Sequence, residues 1–120
     1  MPNNHLMLDQ TAFETAKQMM QQKFEKIIGY YLEDTQSYIQ AIKEGLDLQD
    51  AEMIVPAAHT IKSSSRQIGA FALANYAATI EEKARHYLQT SENFLKIADV
   101  CKDLEIMFQA TQIEIRKNLV

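Results

Sequence analysis

The chain is poor in residues that interrupt helices. It holds three Gly and two Pro in 120 residues, and both types are disfavoured inside helices. Cys101 is the single cysteine, so no internal disulfide can form, and an intracellular, cytoplasmic protein fits that usage. No stretch of about 18 apolar residues occurs, so no transmembrane span is expected. The opening Met1-Pro2-Asn3-Asn4-His5-Leu6 lacks a basic region followed by an apolar one, so no signal peptide is expected. Basic clustering is also missing. The 12 Lys and Arg are scattered among 16 Asp and Glu, for a net charge of −4. A non-specific nucleic-acid binder would present a basic face, so that class is disfavoured, with salt-dependent DNA retention as the observation that would revive it. There is no internal repeat, no low-complexity segment and no sustained two-residue alternation of the kind a strand requires.

What remains is 47% apolar residues, interleaved with charge at steps of three and four. That pattern predicts one folded, all-α domain over residues 1–120, with 1–7 flexible. A short helix is expected after Asp9, a good N-cap, carrying Ala12, Phe13, Ala16 and Met20. A longer one carries Phe24, Ile27, Ile28, Tyr31, Thr35, Tyr38, Ile39 and Ile42, and is expected to break at Gly45 and the polar stretch Asp47 to Asp50. The third should run from about Asp50 to about Ile68. Pro56 lies inside it and should bend it; the alternative is a start near Val55, with Pro56 in the first turn. Gly69 supplies a turn. The fourth carries Ala70, Leu73, Ala77, Ile80, Ala84 and Leu88. The fifth, starting after Thr90 or Ser91, carries Phe94, Ile97, Ala98, Cys101, Leu104, Phe108 and Ile115. Short connections make neighbours antiparallel. The expected architecture is therefore an antiparallel up-down four-helix bundle with a short additional N-terminal helix.

Of three histidines, His5 lies in the terminus and His86 among charged residues near a helix end. His59 is different. On a wheel of about 100° per residue, Ile54, Ala57, Ala58, Ile61, Ser64, Ser65 and Ile68 form a core stripe around Ile61. His59 falls roughly 160° away, beside Ser63 and Arg66, with Lys62 and Val55 flanking. An outward imidazole is usually an idle surface residue, and spacing alone would leave it so.

The surrounding segment changes that. Ala57-Ala58-His59-Thr60-Ile61-Lys62-Ser63-Ser64-Ser65-Arg66-Gln67-Ile68-Gly69-Ala70 resembles the signature of histidine-containing phosphotransfer (HPt) domains: a small residue, His, Lys three positions on, small or polar residues, and Gly ten positions on. The likeness continues through Leu73 and Ile80-Glu81-Glu82-Lys83-Ala84-Arg85, and spans roughly residues 8 to 115. One departure is Ser63, where the family usually has Gly; serine is still small enough to leave the surface open. The resemblance implies a phosphorelay intermediate of two-component signalling that takes a phosphoryl group on His59 from a phospho-aspartyl receiver domain and passes it to another. It also implies that Glu81, 22 positions after His59, hydrogen-bonds the imidazole nitrogen that is not phosphorylated, with Glu82 as the competing candidate.

The chemistry suits these residue types. Imidazole offers a neutral nucleophile near pH 7. Lys62, one turn away, can compensate phosphate charge. Ser63 permits close docking, Ser64 packs between helices, and Arg66 can steer an acidic partner. The candidate docking surface is Val55, Lys62, Ser63, Arg66 and Gln67; Tyr and Met residues, more often core than docking surface, are not assigned to it. There is no Gly-rich phosphate loop and no room for an ATP-binding module, so a carrier and not a kinase is expected. No cofactor or metal of its own is expected, with Mg²⁺ carried by the partner receiver domain of a hybrid kinase or response regulator. A monomer keeps the site accessible, and a chain that starts at Met1 and completes a bundle reads as free-standing. The competing readings are a helical adaptor with an idle histidine and a di-iron bundle; the latter needs inward Glu-x-x-His pairs, and none occurs.

Overall fold

In the computed structural model, which describes residues 7–119, Asp9 starts the first helix by accepting the Ala12 amide on Oδ1 at 2.9 Å. Helix α1 spans Gln10–Met20, and a 3₁₀ turn over Gln21–Lys23 leads into α2, Phe24–Asp47. Then come α3, Ala51–Gln67, α4, Phe71–Thr90, and α5, Phe94–Lys117. Helices α2 to α5 close a four-helix bundle in which α3 packs most extensively on α4, then on α2, while α5 covers α4 and α2. The expectation of flexibility over residues 1–7 falls, except for Met7, outside the described residues, as does His5.

The core is the set of apolar faces read from the spacing. Ile28, Ile39, Ile42, Ile54, Ile61, Leu73, Ile80, Ile97, Leu104 and Phe108 are fully buried, each contributing about 1.5–3 kcal/mol of apolar burial. Small buried residues concentrate where α3 meets α4: Ala57, Ala58 and Ser65 on one, Ala74, Ala77 and Ala84 on the other. Small side chains let two helices approach closely, and this brings polar residues of the two helices within reach at the bundle surface.

Helix α1 sits across one end. The Phe13 ring meets Phe24 edge-on, with centroids 5.1 Å apart, and the Asp9 amide donates to the Gly69 carbonyl at 2.9 Å. Gly69 has φ +86°, and a Cβ there would lie 2.9 Å from both Ala12 Cβ and the Asp9 carbonyl oxygen. The glycine therefore does two things: it makes the α3–α4 turn and admits α1 against it.

Four expectations need correction. Gly45 does not break α2, which continues to Asp47; a Cβ at Gly45 would stand 2.6 Å from Ile54 Cγ1, so the glycine serves the close α2–α3 crossing. Helix α5 does not start after Thr90 or Ser91. Ser91 is the left-handed C-cap of α4, and α5 begins at Phe94 behind a left-handed Asn93 that makes no side-chain cap. Leu88 lies outside the core stripe, 49% exposed. Ser64, placed on the core stripe of α3, is only half-buried. Pro56, by contrast, lies inside α3, which begins with Asp50 as N-cap and not near Val55.

Candidate functional site

His59 and Lys62 lie one turn apart on α3, and Glu81 faces them from α4. The His59 side chain is 54% exposed. Its Nδ1 lies 3.0 Å from Glu81 Oε2. Glu81 is buried, with its side chain only 8% exposed, and it gathers three cationic or polar partners. Lys62 Nζ approaches Oε1 at 2.7 Å, a close ion pair. Arg85, one turn further along α4, donates from Nε at 3.1 Å and Nη2 at 2.8 Å to Oε2.

The electrostatics follow from this crowding. Burial pushes the Glu81 carboxyl up, but Lys62, Arg85 and His59 together outweigh it and hold the group at about 2. Glu81 is thus a carboxylate at any physiological pH. A carboxylate can only accept, so the proton of the Nδ1–Oε2 bond belongs to Nδ1, and in the neutral ring the in-plane lone pair is left on Nε2.

Glu81, and not Glu82, reaches His59; Glu82 is exposed and borders a separate polar pocket with Lys83 and His86. Lys62 is less free than a solvated lysine, with its side chain 21% exposed. Ser63, Arg66 and Gln67 are exposed and Val55 is half-buried. Ser64 bonds back to the Thr60 carbonyl at 2.9 Å, and Gly69 lies away from the imidazole, at the α1 contact. His86 is exposed, 4.0 Å from Glu92.

Three features escaped the sequence reading. Arg85 completes the Glu81 cluster; the Glu81-to-Arg85 spacing of four on one helix was the available signal. Tyr31 reaches from α2 to α3, where its hydroxyl shares a 2.6 Å hydrogen bond with Ser65 Oγ; burial pushes this phenol up to about 12, against the smaller opposing effects of Ser65 and Thr35. Two of the unassigned Met and Tyr residues lie at the surface. Met19 is 80% and Tyr30 53% exposed. They border two adjoining grooves, of about 210 and 500 Å³, that share Met20 and Gln67. The smaller groove runs beside the His59 face of α3, along Thr60, Ser64 and Gln67.

Among the described residues no group of three or more His, Cys, Asp and Glu side chains converges as a metal site. No described helix is long and apolar enough to cross a membrane.

The bundle thus displays a half-exposed imidazole against a buried carboxylate of the neighbouring helix. Residues 26–112 match the Hpt domain family, and the chain belongs to that family. Hpt proteins are phosphocarriers, not kinases, and work with receiver domains in phosphorelays. Among solved structures the chain is similar to histidine-containing phosphotransfer protein B from Pseudomonas aeruginosa PAO1. The two are 20% identical, the match covers 93% of each chain, and the TM-score is 0.84; at that identity the likeness is one of fold. Comparison with curated proteins finds no match.

Proposed function

We propose that this chain is the intermediate of a phosphorelay, accepting a phosphoryl group on Nε2 of His59 from one receiver domain and passing it to another. The observation that carries the reading is the 3.0 Å contact between Nδ1 of the half-exposed His59 and the buried Glu81 carboxylate. In the forward step the Nε2 lone pair attacks the phosphorus of an aspartyl phosphate. An N–P bond forms, the P–O bond to aspartate breaks, and the aspartate carboxylate departs with the electron pair. The Nδ1 proton stays on the ring, and Glu81 offsets the positive charge the ring acquires. Lys62 turns from Oε1 of Glu81 to the phosphoryl oxygens. The reverse sequence delivers the group to the next receiver. Positioning and charge compensation are the main demands of phosphoryl transfer, and this chain supplies both from three side chains. The receiver brings Mg²⁺; the carrier needs no cofactor.

The docking face is Val55, Lys62, Ser63, Arg66 and Gln67, extended by the apolar grooves toward Met19 and Tyr30. A small interface of this kind suits partners that bind briefly and exchange. The carrier works as a cytoplasmic monomer, away from membrane and nucleic acid.

The test is transfer from phosphorylated receiver domains of the same cell to the wild type and to His59→Gln. Acid-labile, base-stable label on the wild type and none on the variant is expected. Failure of transfer from every receiver, or equal label on both proteins, would leave a helical adaptor with an idle histidine.

A further inference from the structure

Orienting an imidazole needs one acceptor, yet Glu81 is surrounded by more positive charge than that task requires. The two carboxylate oxygens divide it. Among the described residues Oε1 meets Lys62. Oε2 takes His59 Nδ1 on one side and both Nε and Nη2 of Arg85 on the other. Arg85 bonds Oε2 through two nitrogens, whereas Lys62 makes a single contact with Oε1. Arg85 also keeps its charge at every working pH and presents a rigid fork, and a Glu four residues before it on the same helix is the favoured order for such a pair.

We propose that Arg85 is a positioning residue of the carrier site. It clamps Oε2 of Glu81 where that oxygen holds the His59 proton on Nδ1, and it stays as the counter-ion of Glu81 when Lys62 turns to the phosphoryl group. The second half rests on the phosphocarrier reading above; the first stands without it.

The physical need is clear from the burial. Water has little access to Glu81, and an uncompensated buried carboxylate is strongly disfavoured. If Lys62 were its only cation, each arriving phosphoryl dianion would have to pull Lys62 away from a buried charge and would then face that charge across the imidazole. With Arg85 fixed on Oε2, Lys62 is released at lower cost, and the oxygen that orients His59 does not move. Lys62 is the exchangeable cation and Arg85 the permanent one. Arg85 is itself 58% exposed, so its replacement leaves the core intact.

The test has two arms. In the first, ¹⁵N spectra of the His59 ring at about pH 8, above the ordinary imidazole range, read the tautomer. The wild type should hold the proton on Nδ1. Arg85→Gln should shift the ring toward a mixture of tautomers, and Arg85→Lys should recover part of the Nδ1–H form. An unchanged tautomer in Arg85→Gln would overturn the positioning role. In the second arm, phosphoramidate labels His59 without any protein partner. Arg85→Gln should slow labelling roughly three- to tenfold, the size expected for losing one ordinary net hydrogen bond from a partly exposed partner. In a Glu81→Gln background the same replacement should have little further effect, because Arg85 acts through Glu81. Equal slowing in both backgrounds would mean that Arg85 meets the phosphoryl group directly, and would refute the proposal. If phosphoramidate labels no protein, the wild type included, the phosphocarrier reading fails, while the tautomer arm still decides the role of Arg85.

Discussion

Replacing Glu81 by Gln removes one negative charge from a cluster of Lys62, Arg85 and His59 while keeping the shape of the side chain. The carboxyl is held at about 2 in the folded protein, against 4.5 for the free group. At 1.36 kcal/mol per pH unit, that gap corresponds to at most about 3 kcal/mol of folding stability. The three partners are themselves partly in water, with side chains 21%, 58% and 54% exposed for Lys62, Arg85 and His59. Solvent screening reduces the figure to about 1–2 kcal/mol. The sign follows from linkage. A carboxyl whose pKa is lowered by folding contributes fully above pH 4.5, and its contribution disappears as the pH falls through about 2. Urea unfolding of wild type and Glu81→Gln across that range is the assay. At neutral pH the wild type should be more stable by about 1–2 kcal/mol, and the difference should close steadily below pH 4.5, since a protonated Glu resembles Gln. A difference independent of pH, or a variant more stable than wild type at neutral pH, would refute the electrostatic account of the cluster.

Other outcomes follow from single contacts. Gly69→Ala should lower stability by about 1–3 kcal/mol in denaturant titration, because φ is +86° and the added methyl meets Asp9 and Ala12 at 2.9 Å; the His59 tautomer should not change. Tyr31→Phe should cost about 1–2 kcal/mol, since it leaves the buried Ser65 hydroxyl without its 2.6 Å partner. Ser63→Trp should sharply reduce transfer from receiver domains while labelling by phosphoramidate stays near the wild-type rate, because Ser63 is exposed on the proposed docking face.

The bundle was legible in the sequence because one stripe of apolar residues per helix sufficed to define it, and Ile54, Ala57, Ala58 and Ile61 point inward as their spacing required. The same wheel put His59 outside. Glu81 was legible only through the family pattern: its distance from His59 depends on how closely α3 and α4 pack, which the buried alanines decide and helical periodicity does not. For the same reason the spacing did not show that Lys62 lies against Glu81. Gly45 and the start of α5 were misread from local propensity. Tertiary contact governs the first, through Ile54 of α3. At the second, Ser91 and Asn93 both take left-handed backbone, so the chain turns once more before the helix begins. Arg85 was overlooked as a partner although its spacing from Glu81 was in plain view, because an exposed Glu–Arg pair one turn apart is common and of small value; the burial of Glu81 raises its importance here.

The central claim is that His59 carries the phosphoryl group on the nitrogen that Glu81 leaves free. The most direct measurement is ³¹P–¹⁵N correlation on ¹⁵N-labelled protein after phosphorylation by phosphoramidate or by a receiver domain. Phosphorus coupled to Nε2 of His59, with Nδ1 still protonated, is the predicted result. Phosphorus on Nδ1, or on any residue other than His59, would contradict it.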